Sequence, residues 1–280
     1  MIAYYALGGG LGHLVRGRAV IDALGIRGRA AFLTASSFAG DERVTGGIPV
    51  VRVPADLEQD PDALRNWIEA LAPDELILDA FPAGILGELC GFDSAPVRHI
   101  ARLLRWERYA ARLAGRPLPR FTETRVLEPL HEPHARALAQ ASGRLCAFDL
   151  LPAEMLAPAR AALDGPHWLV VHAGPKHEVA ELVAHAAERM TAEATRARLA
   201  VITPERPDEL PEGAVWLDAH PAAPFLGAAE RIVSAAGFNI VREAAPYAAR
   251  HHAVPFDRPL DDQYTRAARM RRKAAAAHGA

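Results

Sequence analysis

The stretch Ile2-Ala3-Tyr4-Tyr5-Ala6-Leu7-Gly8-Gly9-Gly10-Leu11-Gly12-His13 decides the fold class. Six apolar or aromatic residues run into a glycine cluster, and residues 14–24 then carry apolar side chains at helical spacing. That is a strand, a glycine loop and a helix, the opening of a βαβ unit. Further short apolar runs at residues 30–34, 49–53, 75–79, 97–101 and 125–127 predict strands of one sheet, with helices between most of them. Residues 150–166 are rich in Pro and Ala and end in the breaker Asp164-Gly165-Pro166, which marks a linker. The pattern then restarts. Residues 168–172 predict a strand, Ala173-Gly174-Pro175 a turn, and residues 178–190 an amphipathic helix. Strands at 199–203, 215–217 and 231–234, a short helix at 224–229 and a helix at 239–248 follow. The expected fold is therefore α/β, with two Rossmann-like domains facing a cleft, residues 1–157 and residues 158–280.

Composition narrows the function classes. The chain has 280 residues, half of them hydrophobic and 24% charged, which suits folded globular domains rather than disorder, collagen or coiled coil. Lys plus Arg is 32 and Asp plus Glu is 34, a net charge of -2, so no global field recruits nucleic acid. The two cysteines, Cys90 and Cys146, form neither a disulfide framework nor a zinc motif, and a reducing cytoplasm is the expected location. No signal peptide is read at the N-terminus and no run of 18 apolar residues spans a bilayer. No cofactor or metal is expected. In His131-Glu132-Pro133-His134 the spacing is metal-like, but Pro133 is expected to break the helix that would align the rings.

The first glycine loop places backbone N–H groups and a helix dipole where an anion can meet them. It does not make a dinucleotide fingerprint, because the third glycine of GxGxxG would fall at His13. His13 sits where open α/β sheets hold ligands and titrates near neutrality, so it is the expected general base, against the plainer reading of a capping residue in a tight turn. Gly10 and Gly12 of the same loop, Arg16 one turn along the helix, and Asp79 at the end of its strand are the other candidate site residues of this half. In the second loop, Gly174 and Lys176 read equally as phosphate-facing or as an ordinary turn with a solvated lysine. The run Ser234-Ala235-Ala236-Gly237-Phe238-Asn239, with Glu243 one turn beyond Asn239, carries the strongest signal. Its small residues admit phosphates, and a carboxylate there can accept two hydrogen bonds from vicinal ribose hydroxyls. Asp261-Asp262-Gln263 adds a second polar cluster. Arginines at 98, 102, 105, 108, 112, 116 and 120 recur at near-helical spacing; as a patch they would suit an anionic membrane or a phosphorylated acceptor, while a solvated helix face is the commoner reason for such spacing.

These segments resemble the glycosyltransferases of the GT-B fold, in particular the bacterial branch with the lipid II-forming N-acetylglucosaminyltransferase and the pseudaminic acid pathway nucleotide-sugar hydrolase. The residues that carry the resemblance are GGGLGHLVR at 8–16, ELILDAFPAGILGEL at 75–89, SAAGFNIVREA at 234–244, VPF at 254–256 and DDQYTRA at 261–267. The resemblance implies a nucleotide-diphosphate sugar donor, with a UDP-sugar first, bound by the C-terminal half and an unidentified acceptor held by the N-terminal half. It implies ribose binding by Glu243, diphosphate at the Gly237 turn, sugar contacts from Asp262 and Gln263, and a catalytic or acceptor-contacting His13. Ser234, Ala236, Asn239 and Gly174 complete the expected donor set. A hydrolase with the same donor site and a non-catalytic nucleotide-sugar binder are the alternatives.

Overall fold

A computed structural model describes residues 1–150, 163 and 165–278; the expected boundary at 157–158, and most of the linker, lie outside them. Contacts divide the chain into two units, Met1–Leu151 with Pro259–Asp261, and Pro152–Arg258 with Asp262–Ala280.

In the first unit the strands are β1 (Ile2–Ala6), β2 (Ala30–Thr34), β3 (Val50–Arg52), β4 (Glu75–Asp79), β5 (Val97–Ala101), β6 (Phe121–Val126) and β7 (Leu145–Ala147), interleaved with helices α1 (Leu11–Ala23), α2 (Glu42–Thr45), α3 (Pro61–Ala70), α4 (Trp106–Leu113) and α5 (Glu132–Ala141). They form one parallel sheet in the order β3-β2-β1-β4-β5-β6-β7. Alternation along β1 shows why the run is apolar throughout. Ile2, Tyr4 and Ala6 pack under Leu14, Val20 and Ile21 of α1, while Ala3, Tyr5 and Leu7 face Leu64 and Ile68 of α3. A parallel sheet covered on both faces has no polar side to show in its sequence. Gly17 lets α1 approach closely, since a Cβ there would stand 2.6 Å from Phe32 and 2.7 Å from Tyr4.

The second unit repeats the plan with β8 (His167–Val171), α6 (Lys176–Ala192), β9 (Arg198–Ile202), β10 (Val215–Leu217), α7 (Ala223–Leu226), β11 (Arg231–Ala235), α8 (Phe238–Glu243), β12 (His251–Val254) and α9 (Gln263–His278). Its parallel sheet runs β10-β9-β8-β11-β12. Trp168 and Val170 pack on Val179, Leu182 and Ala186 of α6, and Leu169 faces Leu226 and Ala244 on the other side.

Four expectations are corrected. β6 begins at Phe121 rather than residue 125, because Phe-Thr-Glu-Thr has a single apolar residue and buries a threonine, Thr124, so it offers no apolar run. The helix expected over 239–248 stops at Glu243 and continues as a 3-10 turn over Ala245–Arg250, since Pro246 has no N–H to donate back to the Arg242 carbonyl. Pro133 does not break a helix; it sits in the first turn of α5, where its missing N–H costs nothing. The arginines at 98–120 do not share a helix face, because α4 covers only Trp106–Leu113. Arg98 lies on β5 and pairs with Glu75, while Arg112, Arg116 and Arg120 donate to the carbonyls of Ile85, Leu86 and Gln140.

Candidate functional site

Each sheet has one point where the strand order reverses direction, between β1 and β4 in the first and between β8 and β11 in the second. Loops at the carboxyl ends of two such strands lead to opposite faces of the sheet and leave a crevice, the usual ligand position in open α/β sheets. Both crevices hold a histidine bonded to a carboxylate.

In the first crevice the loop after β1 delivers His13, in the first turn of α1, and β4 ends on Asp79. His13 Nδ1 lies 2.5 Å from Asp79 Oδ2. The same carboxylate accepts from Tyr4 Oη at 2.8 Å, Arg16 Nε at 2.7 Å and Arg16 Nη2 at 2.5 Å. Asp79 and Arg16 are buried, with side chains 0% and 4% exposed, whereas the His13 side chain keeps 17% of its surface. Burial alone would raise the Asp79 pKa, but the Arg16 charge and the bonds from His13 and Arg16 outweigh it and hold the carboxyl well below its usual range. An ionised Asp79 keeps the proton on Nδ1, so Nε2 carries the ring's lone pair. Burial, followed by the Arg16 and Arg102 charges, lowers the His13 pKa against the pull of Asp79. Gly8 makes the arrangement possible, because a Cβ there would stand 2.7 Å from His13 Nε2.

In the second crevice His172 follows β8 and its Nε2 lies 2.7 Å from Glu178 Oε2, in the first turn of α6. Arg258, beyond β12, donates from both terminal nitrogens to the same carboxylate. Glu178 is 3% exposed and Arg258 28%, so the carboxylate is an inner anchor for a guanidinium that reaches the surface. Phe256 packs against both, 5.8 Å from the His172 ring and 5.8 Å from the guanidinium carbon. Gly174 closes the arrangement, since a Cβ there would fall 2.3 Å from His172 Nε2. Burial would raise the Glu178 pKa, yet Arg258 and His172 lower it on balance.

No family model matches the chain, and no curated protein sequence matches it. Solved structures do. The spinosyn forosaminyltransferase SpnP is 16% identical with a TM-score of 0.61, over 97% of this chain and 83% of that one. A ugt transferase from Siraitia grosvenorii in complex with UDP is 16% identical with a TM-score of 0.57, over 96% and 82%. The spinosyn rhamnosyltransferase SpnG complexed with thymidine diphosphate is 17% identical with a TM-score of 0.56, over 99% and 85%. The chain has the GT-B fold.

Within this GT-B chain the residues singled out from sequence fall into two groups. His13, Arg16 and Asp79 are brought together as one hydrogen-bonded cluster, with Gly10 and Gly12 at the start of the same helix. Arg16 is turned inward onto Asp79 rather than outward. Around the second crevice, Gly237 caps α8 with open space where a side chain would be, its nearest non-neighbouring atom being Ile240 Cγ2 at 4.0 Å. Asn239 and Glu243 lie on α8. Ser234 is wholly buried, where it accepts from His251 Nε2 at 2.8 Å and donates to the Ala235 carbonyl at 2.9 Å. Ala236 is also buried, its N–H on the Val254 carbonyl. Asp262 accepts from Thr265 N at 3.0 Å at the start of α9, and Gln263 Oε1 accepts from Phe256 N at 3.0 Å. Lys176 pairs with Asp208 on the surface, with 58% of its side chain exposed.

The sequence reading missed His172, Glu178 and Arg258. Six and then eighty positions separate them, and only the adjacency of β8, β11 and β12 brings them together. His172 alone left a signal, as a histidine at the last position of the expected strand over 168–172. Among the described residues, no group of three or more His, Cys, Asp or Glu could hold a metal ion, and no helix is long and apolar enough to cross a membrane. His134 of the metal-like tetrad is fully buried and stacks on Trp106 at 4.4 Å.

Proposed function

We propose that this protein is a glycosyltransferase that moves a sugar from a nucleotide-diphosphate donor to a hydroxyl acceptor, with His13 as general base. The observation that carries the reading is the His13–Asp79 pair at the reversal point of the first sheet, on a fold shared with transferases solved with UDP or thymidine diphosphate. As the acceptor oxygen attacks the anomeric carbon, His13 Nε2 takes its proton while the bond from that carbon to the diphosphate breaks and the electron pair leaves with the phosphate. Asp79 stabilises the imidazolium that forms and fixes the ring's orientation. Glu243 binds the ribose, the Gly237 turn admits the diphosphate, and Asp262 and Gln263 face the sugar. Arg258, anchored on Glu178, meets the charge of the leaving group, a task that side-chain cations and backbone N–H groups can perform without a divalent ion. The resemblance to the lipid II-forming branch puts UDP-sugars first in the donor screen, with thymidine-diphosphate sugars beside them.

Nucleotide release from these donors, with and without a panel of hydroxylated acceptors, tests the reading. Acceptor-dependent release supports transfer, and equal release in water alone would make the protein a hydrolase. Nucleotide binding without turnover would leave a binding protein, and no nucleotide binding at all would overturn the donor site.

A further inference from the structure

The cluster in the second crevice holds a nitrogen that the proposed chemistry leaves unused. His172 continues the ladder past β8, its backbone N–H on the Ile202 carbonyl at 3.1 Å. Its ring is fixed on two further sides, by the 2.7 Å bond from Nε2 to Glu178 Oε2 and by the Phe256 ring stacked at 5.8 Å. Against burial, Arg258 and His172 hold the Glu178 pKa low, so the carboxyl is ionised, Nε2 carries the ring proton and Nδ1 the lone pair. Burial outweighs the pull of Glu178 and lowers the His172 pKa, so the ring is neutral near pH 7. Among the described residues no hydrogen-bond partner reaches Nδ1, and the atom is not sealed in the interior as both ring nitrogens of His134 are. The side chain keeps 9% of its surface. A ring held in place thus offers one unused acceptor at the carboxyl end of β8.

We propose that His172 is a specificity-determining residue, its Nδ1 accepting a hydrogen bond from a hydroxyl of the transferred sugar. The proposal rests on the reading of this crevice as the nucleotide-sugar site and of Gln263 as a residue that faces the sugar. A lone pair cannot hold an ionised phosphate oxygen, which has no proton to give, so the diphosphate is not its partner. The ribose belongs to Glu243 on α8 in that reading, whereas His172 is joined to the sugar end. The Phe256 ring that stacks on it belongs to the residue whose N–H donates to Gln263 Oε1 at 3.0 Å. With its amide oxygen so engaged, Gln263 has N–H groups to offer, and His172 has an acceptor. Together they complement hydroxyls, each of which can give one hydrogen bond and receive another. A sugar without the matching hydroxyl would leave Nδ1 unpaired on binding, and selectivity follows from that loss.

Two amides separate the two nitrogens of the ring. Glutamine can place an N–H where Nε2 stands and keep the bond to Glu178, but it has nothing at Nδ1. Asparagine can place its amide oxygen near Nδ1 and gives up the bond to Glu178. Calorimetry on the full chain compares UDP with UDP-glucose, and thymidine diphosphate with thymidine-diphosphate glucose. In His172→Gln the plain nucleotides are expected to bind as in the native chain, while the nucleotide sugar binds about 2- to 10-fold more weakly. His172→Asn is expected to keep the native ratio of the two affinities and to melt at a lower temperature. An unchanged ratio in His172→Gln would overturn the proposal. So would an equal loss for both ligands, which would mean that His172 acts only by holding Glu178. Should His172→Gln not fold, His172→Asn decides: a native ratio supports the proposal and a lost one overturns it. If the native chain bound neither kind of ligand, the nucleotide-sugar reading would fall and this inference with it. Native binding with an unmoved ratio in His172→Gln would sink this inference alone.

Discussion

Nε2 of His13 is the one atom on which the proposed chemistry turns, and its neighbours can be separated by substitution. His13→Gln removes the base and leaves the donor residues in place, so turnover is expected to fall by about 10² to 10⁴ while nucleotide affinity measured by calorimetry stays native. Asp79→Asn acts differently. The ring loses its orienting carboxylate, and Arg16, 4% exposed, loses the carboxylate that its Nε and Nη2 donate to. Breaking such a buried pair costs about 3 to 5 kcal/mol, so this variant should lose both rate and thermal stability, which separate activity and melting measurements will show. Glu243→Ala should melt like the native chain yet bind nucleotide roughly tenfold or more weakly, the loss of a charge-assisted pair of hydrogen bonds to ribose. Native affinity in that variant would move the ribose site elsewhere.

At the scale of the elements, the first glycine loop is expected to show two kinds of glycine. A Cβ on Gly8 would collide with His13 Nε2 at 2.7 Å, whereas one on Gly9 meets nothing within 4 Å. Gly8→Ala should therefore cost rate by pushing the ring off line, while Gly9→Ala melts at the native temperature. Gly17→Ala has a different consequence, since its Cβ would press on Phe32 and Tyr4 and drive α1 from the sheet, at about 1 to 3 kcal/mol of stability in denaturant unfolding. The strand, loop and helix that carry these glycines were legible in the sequence, because β1 is buried on both faces and the glycine cluster punctuates it. Which glycine answers to His13 was not legible, since the ring's position depends on Asp79, 66 residues away.

For the whole molecule, the buried histidines make acid the expected weak point. His99 and His134 are fully buried, and burial pushes their pKa values down to about 4 and about 3; His251, nearly buried, is likewise pushed down to about 4. Each folded value lies below the unfolded value near 6.5, so the unfolded chain binds more protons in the window between them and stability falls as pH drops through it. At pH 4 each such group costs on the order of 3 kcal/mol relative to pH 7. Below about pH 4 the unfolded chain also protonates Asp79, and the stability from its lowered pKa is lost as well. Melting temperature is expected to decline steadily from pH 6.5 to pH 4, and His134→Phe, which keeps an aromatic ring against Trp106, should flatten part of that decline. A slope unchanged in that variant would remove His134 from the account.

By itself the sequence determined the α/β class, the restart that makes two sheets, and the placement of His13 after a glycine loop, because local periodicity and turn chemistry are written in consecutive residues. It also presented Asp79 at the end of its strand, without the bond that gives it a task. The order of strands in each sheet was decided only in three dimensions, and with it the reversal points that bring β1 beside β4 and β8 beside β11. That order made a pair of His13 and Asp79, a cluster of His172, Glu178 and Arg258, and an ion pair of Arg102 and Asp261, 159 positions apart. The same packing turned Arg16 inward and spread the arginines of 98–120 over a strand, a helix and loops. Such pairings arise when buried charges must find partners across neighbouring strands, and no spacing along the chain records which partner packing will supply.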